Sequence, residues 1–164
     1  MKDADLRTAR LDLTPILREH APLLFAALSD PALHEHTGGA PPATVDALAR
    51  RFTAWEARQS PDGSERWLNW MVRERLSGDA VGYVQATVVE SRADLAWVIG
   101  VRWQRRGYAT EAAGAVLAWL TKQGTTTVRA CIKPAHAASQ GVAARLGLRR
   151  TEAWIDGEEV WVHS

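Results

Sequence analysis

The chain has 164 residues, a length that suits one domain with a core large enough to shelter a pocket. Hydrophobic residues make up 46% and charged residues 24%, ordinary globular values that exclude disordered, collagen-like and low-complexity classes. Twenty Lys and Arg against 19 Asp and Glu leave a formal charge of +1, without the basic excess of a dedicated nucleic-acid binder but with room for a local patch that takes a small anion.

Cys131 is the single cysteine, so no intramolecular disulfide is possible. Five His and one Cys show no ligand-type spacing, and no metal is expected. The start, Met1-Lys2-Asp3-Ala4-Asp5, leads into no apolar stretch of the signal-peptide kind. The run from Ala21 to Leu28 falls far short of the ~20 residues that span a bilayer. The expectation is a soluble, cytoplasmic chain with no membrane partner.

In chain order, Leu6 to Leu13 alternates loosely and reads as a first strand. Ile16 to Leu28 reads as mostly helix, its regular part starting near Ala21 because Pro22 suits a first helical turn. Ser29-Asp30-Pro31 stops it, and a loop runs through Gly38-Gly39-Ala40-Pro41-Pro42. Thr44 caps a second helix with the stripe Val45, Leu48, Phe52 and Trp55. Ser60-Pro61-Asp62-Gly63 is a turn or exposed loop. Three strands follow, over 67–74, 81–89 and 95–101, joined by Ser77-Gly78-Asp79 and Glu90-Ser91-Arg92 as an antiparallel meander. Ala109 to Lys122 has a strong helical apolar stripe with Gly124 behind it. Thr126 to Ile132 is a strand, Ala137 to Leu146 a helix ended by Gly147, and 151–154 with 160–163 a hairpin around Asp156-Gly157. The order β-α-α-β-β-β-α-β-α-β-β predicts an α+β or mixed α/β fold, with a crossover over 95–132. No repeat or linker divides the chain, so residues 1–164 read as a single domain.

The chemistry concentrates where the third meander strand meets its helix. After Ile99-Gly100-Val101 comes Arg102-Trp103-Gln104-Arg105-Arg106-Gly107-Tyr108-Ala109-Thr110. The first amides of a helix have no internal acceptor and sit at the positive end of its dipole. Gly107 and Ala109 leave room for an anion to approach them, and Arg102, Arg105 and Arg106 add charge. An ordinary turn with solvated arginines would read the same way on local physics alone. The P-loop and dinucleotide fingerprints are both absent.

Gln104-x-x-Gly107-x-Ala109 resembles the Q/R-x-x-G-x-G/A signature of the GNAT superfamily of N-acetyltransferases. The stretch Lys133-Pro134-Ala135-His136-Ala137-Ala138-Ser139, followed by Leu146-Gly147-Leu148, looks like the family's second element, N-x-x-S before a short helix and L-G-F. With Gly107-Tyr108-Ala109-Thr110-Glu111-Ala112 and the opening Thr8-Ala9-Arg10-Leu11-Asp12-Leu13, the chain is similar to the RimJ/RimL-like, ribosomal-protein branch over nearly its whole length. The resemblance implies a central, mostly antiparallel twisted sheet, splayed at the cofactor site and flanked by about four helices. It implies acetyl-CoA as co-substrate, held by the amides of Arg106 to Thr110, with Ile99, Gly100, Val101, Gln104, Arg105, Gly107, Tyr108, Ala109, His136 and Ser139 in the cofactor site. The reaction implied is direct acetyl transfer in a ternary complex to a primary amine, on a protein N-terminus or a small molecule, by a monomer or homodimer.

Three departures bear on mechanism. The family's Asn is His136, its L-G-F aromatic is Leu148, and the tyrosine many relatives use as general acid falls on Ala143. The amides of Ile99 to Val101 are the expected oxyanion donors and partners of the pantetheine arm. Asp94 is the leading side-chain base, against its reading as a solvated turn acid beside Arg92; Glu111, in a first helical turn, reads better as a dipole partner. Ser139 is the candidate for protonating the thiolate, or else a helix cap. His136 would meet the pantetheine or the amine. His34 and His36, in the loop after the first helix, are candidates for the acceptor pocket or simply solvated. Cys131, inside a strand, reads as a small buried residue. The eight Trp read mostly as core. A non-catalytic acyl-CoA-binding module is the competing function, since the usual tyrosine is missing.

Overall fold

The structure, a computed structural model, describes residues 4–36 and 39–164; Met1 to Asp3 and Gly38, which entered the reading of the amino end and of the first loop, lie outside the described residues. Two short strands open the fold, β1 (Leu6–Arg7) and β2 (Leu11–Pro15), where a single strand was expected. Thr8 to Arg10 turn between them because the Thr8 amide donates to Leu11 O at 2.9 Å. A 3-10 turn leads into α1 (Ala21–Leu28), with Pro22 in its first turn. Helix α2 (Val45–Glu56) is capped by Thr44, whose Oγ1 accepts from the Ala47 amide at 3.0 Å, a contact that contributes about 1 kcal/mol.

The meander is β3 (Arg66–Glu74), β4 (Ala80–Val89) and β5 (Arg92–Ile99). Helix α3 (Tyr108–Lys122) crosses to β6 (Thr127–Ile132), and α4 (Ala137–Arg145) leads to the hairpin of β7 (Arg149–Ile155) and β8 (Glu158–His163). The eight strands form one sheet in the order β1-β2-β3-β4-β5-β6-β8-β7, antiparallel except for β5 against β6. The last hairpin therefore folds back, placing β8 beside β6 and leaving β7 on the edge with every residue exposed. This is the mixed α/β fold that the sequence predicts.

Side-chain alternation divides the sheet into two faces. Leu68, Trp70, Val72, Val84, Ala93, Leu95 and Ile99 bury against Ala112, Ala113, Val116 and Leu120 of α3. On the other face Ile16, Met71, Tyr83 and Val98 pack with Leu24 and Leu28 of α1 and with Leu48 and Phe52 of α2. A smaller cluster joins Ala130 and Ile132 of β6 to Ala143 of α4 and Leu148.

The feature that positions the site is a short seam. Strands β5 and β6 pair only over Arg92 to Asp94 against Thr127 to Arg129. Beyond it β5 follows β4 as far as Ile99, while β6 follows β8 to Ile132. Trp97 packs on both the α3 and the α4 clusters and so wedges the strands apart on one face. Gly82 holds β4 tight against β5 at the outer end: a Cβ there would lie 2.0 Å from the Val98 carbonyl oxygen, a distance no side chain tolerates.

Candidate active site

The open edge of β5 is the first wall. The Gly100 amide donates to Val81 O of β4 at 2.8 Å, so alternation turns the backbone groups of Leu95, Trp97 and Ile99 toward the gap. This corrects two expectations. The Gly100 amide is already committed to β4, and Val101 lies past the strand in a 3-10 turn. Of Ile99 to Val101, the amide at the open strand edge is that of Ile99. Gln104 also differs from the reading: its Nε2 donates to Ile99 O at 2.9 Å and ties the turn to the strand end.

At that end the chain makes a concave backbone turn. Arg105 at φ +63° and Gly107 at φ +80° flank Arg106, and turns containing left-handed residues gather successive amides into anion-binding concavities. Gly107 is the N-cap of α3 and has no side chain to cap it; the first intrahelical bond is from the Glu111 amide to Gly107 O at 3.0 Å. The amides of Tyr108, Ala109 and Thr110 are thus free for an anion. Arg106 reaches Glu74 at 4.0 Å, while Arg102 lies 5.2 Å from the centre of the Trp103 ring. Arg102 and Arg105 have no carboxylate partner among the described residues. The Tyr108 hydroxyl donates to Glu74, which holds that carboxyl below the usual range and pushes the phenol up. Tyr108 therefore serves the site through its backbone.

Sequence reasoning missed Arg10 as part of this cradle. Its guanidinium stacks 4.6 Å from the Tyr108 ring centre, and one Nη lies 3.3 Å from where a Gly107 Cβ would be. Glu111 fixes it: Oε1 accepts from Arg10 Nε at 2.9 Å, and Oε2 accepts from the Thr8 hydroxyl at 2.5 Å and the Arg10 amide at 3.1 Å. Burial pushes the Glu111 carboxyl up, but these bonds outweigh it and the net direction is down. Glu111 is a clamp on the β1–β2 turn.

The opposite wall is the β6–α4 junction. Ser139 is buried in the first turn of α4, and its hydroxyl lies 3.3 Å from His136 Nε2. The His136 ring stacks on His36, with centroids 4.6 Å apart and planes 21° from parallel. Burial, and then the neighbouring His36, holds His136 below the ordinary imidazole range. Of the two loop histidines, His36 joins the site, whereas His34 Nε2 donates to Leu28 O at 2.9 Å. His34 lines a cavity of about 40 Å³ with Leu33, Arg51, Tyr83 and Val98, on the α1–α2 face behind the end of β5.

Asp94 stands at the closed end of the gap. Both its oxygens are engaged by Arg129, Nε at 2.5 Å and an Nη at 2.9 Å. The sequence reading of a free acid gives way to a bidentate ion pair that locks β5 to β6. Cys131 is exposed, not buried as expected, and partial desolvation of its sulfur, with the surrounding acids, keeps the thiol above its usual range against the pull of Arg129, opposing thiolate chemistry. Trp70 is fully buried, but Trp154 is 58% exposed on the hairpin and is not core. Asn69, buried on the α1–α2 face of β3, has no partner for either amide atom among the described residues.

A wider depression of about 470 Å³, lined by Asp12, Thr14, His20 and Arg73, lies across β1 to β3, away from the gap. No cluster of three or more His, Cys, Asp or Glu among the described residues is placed to hold a metal, and no described helix is long and apolar enough to cross a membrane.

Solved structures share this fold. RimL, the ribosomal L7/L12 alpha-N-protein acetyltransferase solved with coenzyme A, superposes with a TM-score of 0.81 at 13% identity, covering 98% of this chain and 97% of that one. A ribosomal-protein-serine acetyltransferase assignment from Vibrio cholerae gives 0.78 at 22% identity over 98% and 97%. A GNAT-family protein from Bordetella pertussis gives 0.78 at 22% over 99% and 100%. No curated protein matches the sequence. The family model described as "Acetyltransferase (GNAT) domain" matches residues 10–149. That span runs from the Arg10 clamp through both walls of the gap, and the chain belongs to the GNAT acetyltransferase family.

Proposed function

We propose that the chain is an acetyl-CoA-dependent N-acetyltransferase of the RimJ/RimL-like branch, acting on a primary amine by direct transfer in a ternary complex. One domain, residues 1–164, carries the whole activity. The observation that carries this reading is the open edge of β5 running into the Arg105–Thr110 amide cradle. The pantetheine arm of acetyl-CoA lies along that edge as an added strand, with the cofactor's pyrophosphate on the α3 amides beside Arg10, Arg102, Arg105 and Arg106. The open-edge amides of Trp97 and Ile99 receive the carbonyl oxygen as charge develops. Ser139 hydrogen-bonds the departing sulfur, a duty that Ala143 cannot take. The amine enters from the α1–α2 face, past His36.

The kinship in fold with RimL and the Vibrio cholerae protein makes an N-terminal seryl peptide the first acceptor to try. Thiol release from acetyl-CoA is measured with that peptide, a methionyl peptide and a polyamine. The reading expects amine-dependent release. Buried Ala143 favours the rival, a module that binds acyl-CoA without turnover. It prevails if acetyl-CoA raises Tm but no amine releases thiol.

A further inference from the structure

His136 and Ser139 form a contact that neither the cradle nor the gap requires. His136 comes from the β6–α4 loop as the N-cap residue of α4, yet its side chain makes no capping bond. Instead the ring is held edge-on to the Ser139 hydroxyl, 3.3 Å from Nε2, and face-on to His36 of the α1–α2 loop at 4.6 Å. Two loops far apart in the chain thus close over one hydroxyl. Among the described residues no hydrogen bond is made at His136 Nδ1, so that atom remains available to a ligand. The titratable group facing the ring across the gap is His36; on its own side the nearby groups are Ser139 and, through the backbone turn, Lys133.

Resting on the transferase reading above, we infer that His136 is a catalytic residue that carries the amine's proton to Ser139 and so to the leaving thiol, with His36 positioning its ring. In the tautomer that bears its proton on Nε2, His136 donates to Ser139 Oγ, and Ser139 donates toward the sulfur. As the amine nitrogen bonds to the thioester carbon, its surplus proton passes to His136 Nδ1. Collapse of the intermediate breaks the carbon–sulfur bond; the Ser139 proton goes to sulfur, and the Nε2 proton replaces it on the hydroxyl. One amide, one free thiol and neutral groups remain, and His136 regains its starting tautomer by exchange with water. The ring environment suits this, because partial burial and the neighbouring imidazole both disfavour the protonated ring and leave it free to accept.

The test uses the full chain, acetyl-CoA and an N-terminal seryl peptide. His136→Asn should keep its acetyl-CoA Kd within about twofold and lose kcat by about 10²-fold, within the range of acid–base groups. The acid limb of its kcat/KM profile should flatten. His36→Ala should lower kcat less than His136→Asn does and shift that limb toward higher pH, as the ring loses its stacked neighbour. Tm and Kd separate these effects from misfolding, and a second variant, His136→Gln, guards against a single unstable protein. Near wild-type kcat with an unchanged acid limb in both His136 variants overturns this inference alone. A wild-type protein that binds acetyl-CoA but never releases thiol overturns the transferase reading, and this inference with it.

Discussion

Two strand-to-helix junctions face each other across the gap, and they are built on different principles. The β5–α3 junction works through its backbone: left-handed residues at Arg105 and Gly107, uncapped helix amides, and arginines held by Glu74 and Glu111 around the rim. The β6–α4 junction works through side chains, with His136 against Ser139 and His36 against His136. A backbone cradle presents fixed charge and holds an anion without changing protonation state. A histidine–serine contact binds little but moves a proton. One junction should govern affinity and the other rate.

The sharpest way to break that division is on the affinity side. Gly107→Val forces a branched side chain onto φ +80° and toward Arg10. It should raise the acetyl-CoA Kd by roughly tenfold or more, about 1.4 kcal/mol, as read by calorimetry. Unchanged binding would remove the cradle assignment. On the rate side, Ser139→Ala should lower kcat by about tenfold while Kd stays within about twofold, and a matching loss of affinity would erase the distinction.

Asp94→Asn belongs to neither junction. It weakens the ion pair at the closed end, so it should lower Tm by a few degrees, about 1 kcal/mol for a chain of this size, and alter kcat less than Ser139→Ala does. A kcat loss at low pH as large as that of Ser139→Ala, with Tm intact, would restore Asp94 as the base.

The smallest effect sharpens the picture of His136 through stability. Its folded value is depressed below the ordinary 6.5, so below about pH 6.5 the unfolded chain binds the proton first. Stability therefore rises with pH in that window, and it is lost as pH falls from 6.5 through the lower folded value. His20 is depressed by burial too and acts in the same window. Thermal melts of His136→Asn between about pH 5 and 7 should show a shallower acid decline, not an abolished one.

Much of the fold was legible because its signals are local. Thr44, Pro22, Gly124 and the period-two meander each specify their element within a few neighbours, and the structure has those elements within one to three residues of the expected ends. The β5–α3 cradle was legible for the same reason. What escaped depends on residues distant in the chain. Arg10 and Glu111 are 101 positions apart, and Asp94 and Arg129 are 35 apart. No spacing rule announces either pair. The first strand was read as one because Thr8 to Arg10 carry no Gly or Pro to mark their turn. Asp94 looked free because its partner lies on a strand that the crossover brings alongside. His136 and His36 were singled out separately, but their stacking needed the two loops to meet.

The seam between β5 and β6 has a further consequence. Three paired residues and one ion pair join the strands across it, so the sheet is two β-leaves sharing a narrow margin. A thioester arm laid along β5 extends that margin with new backbone bonds. The empty chain should then exchange the amide hydrogens of Trp97 and Ile99 readily, and the loaded chain should protect them. Binding energy is thereby shared between the ligand and the joining of the leaves. Substitutions anywhere along the seam, even far from the arginines, should alter how tightly the cofactor is held.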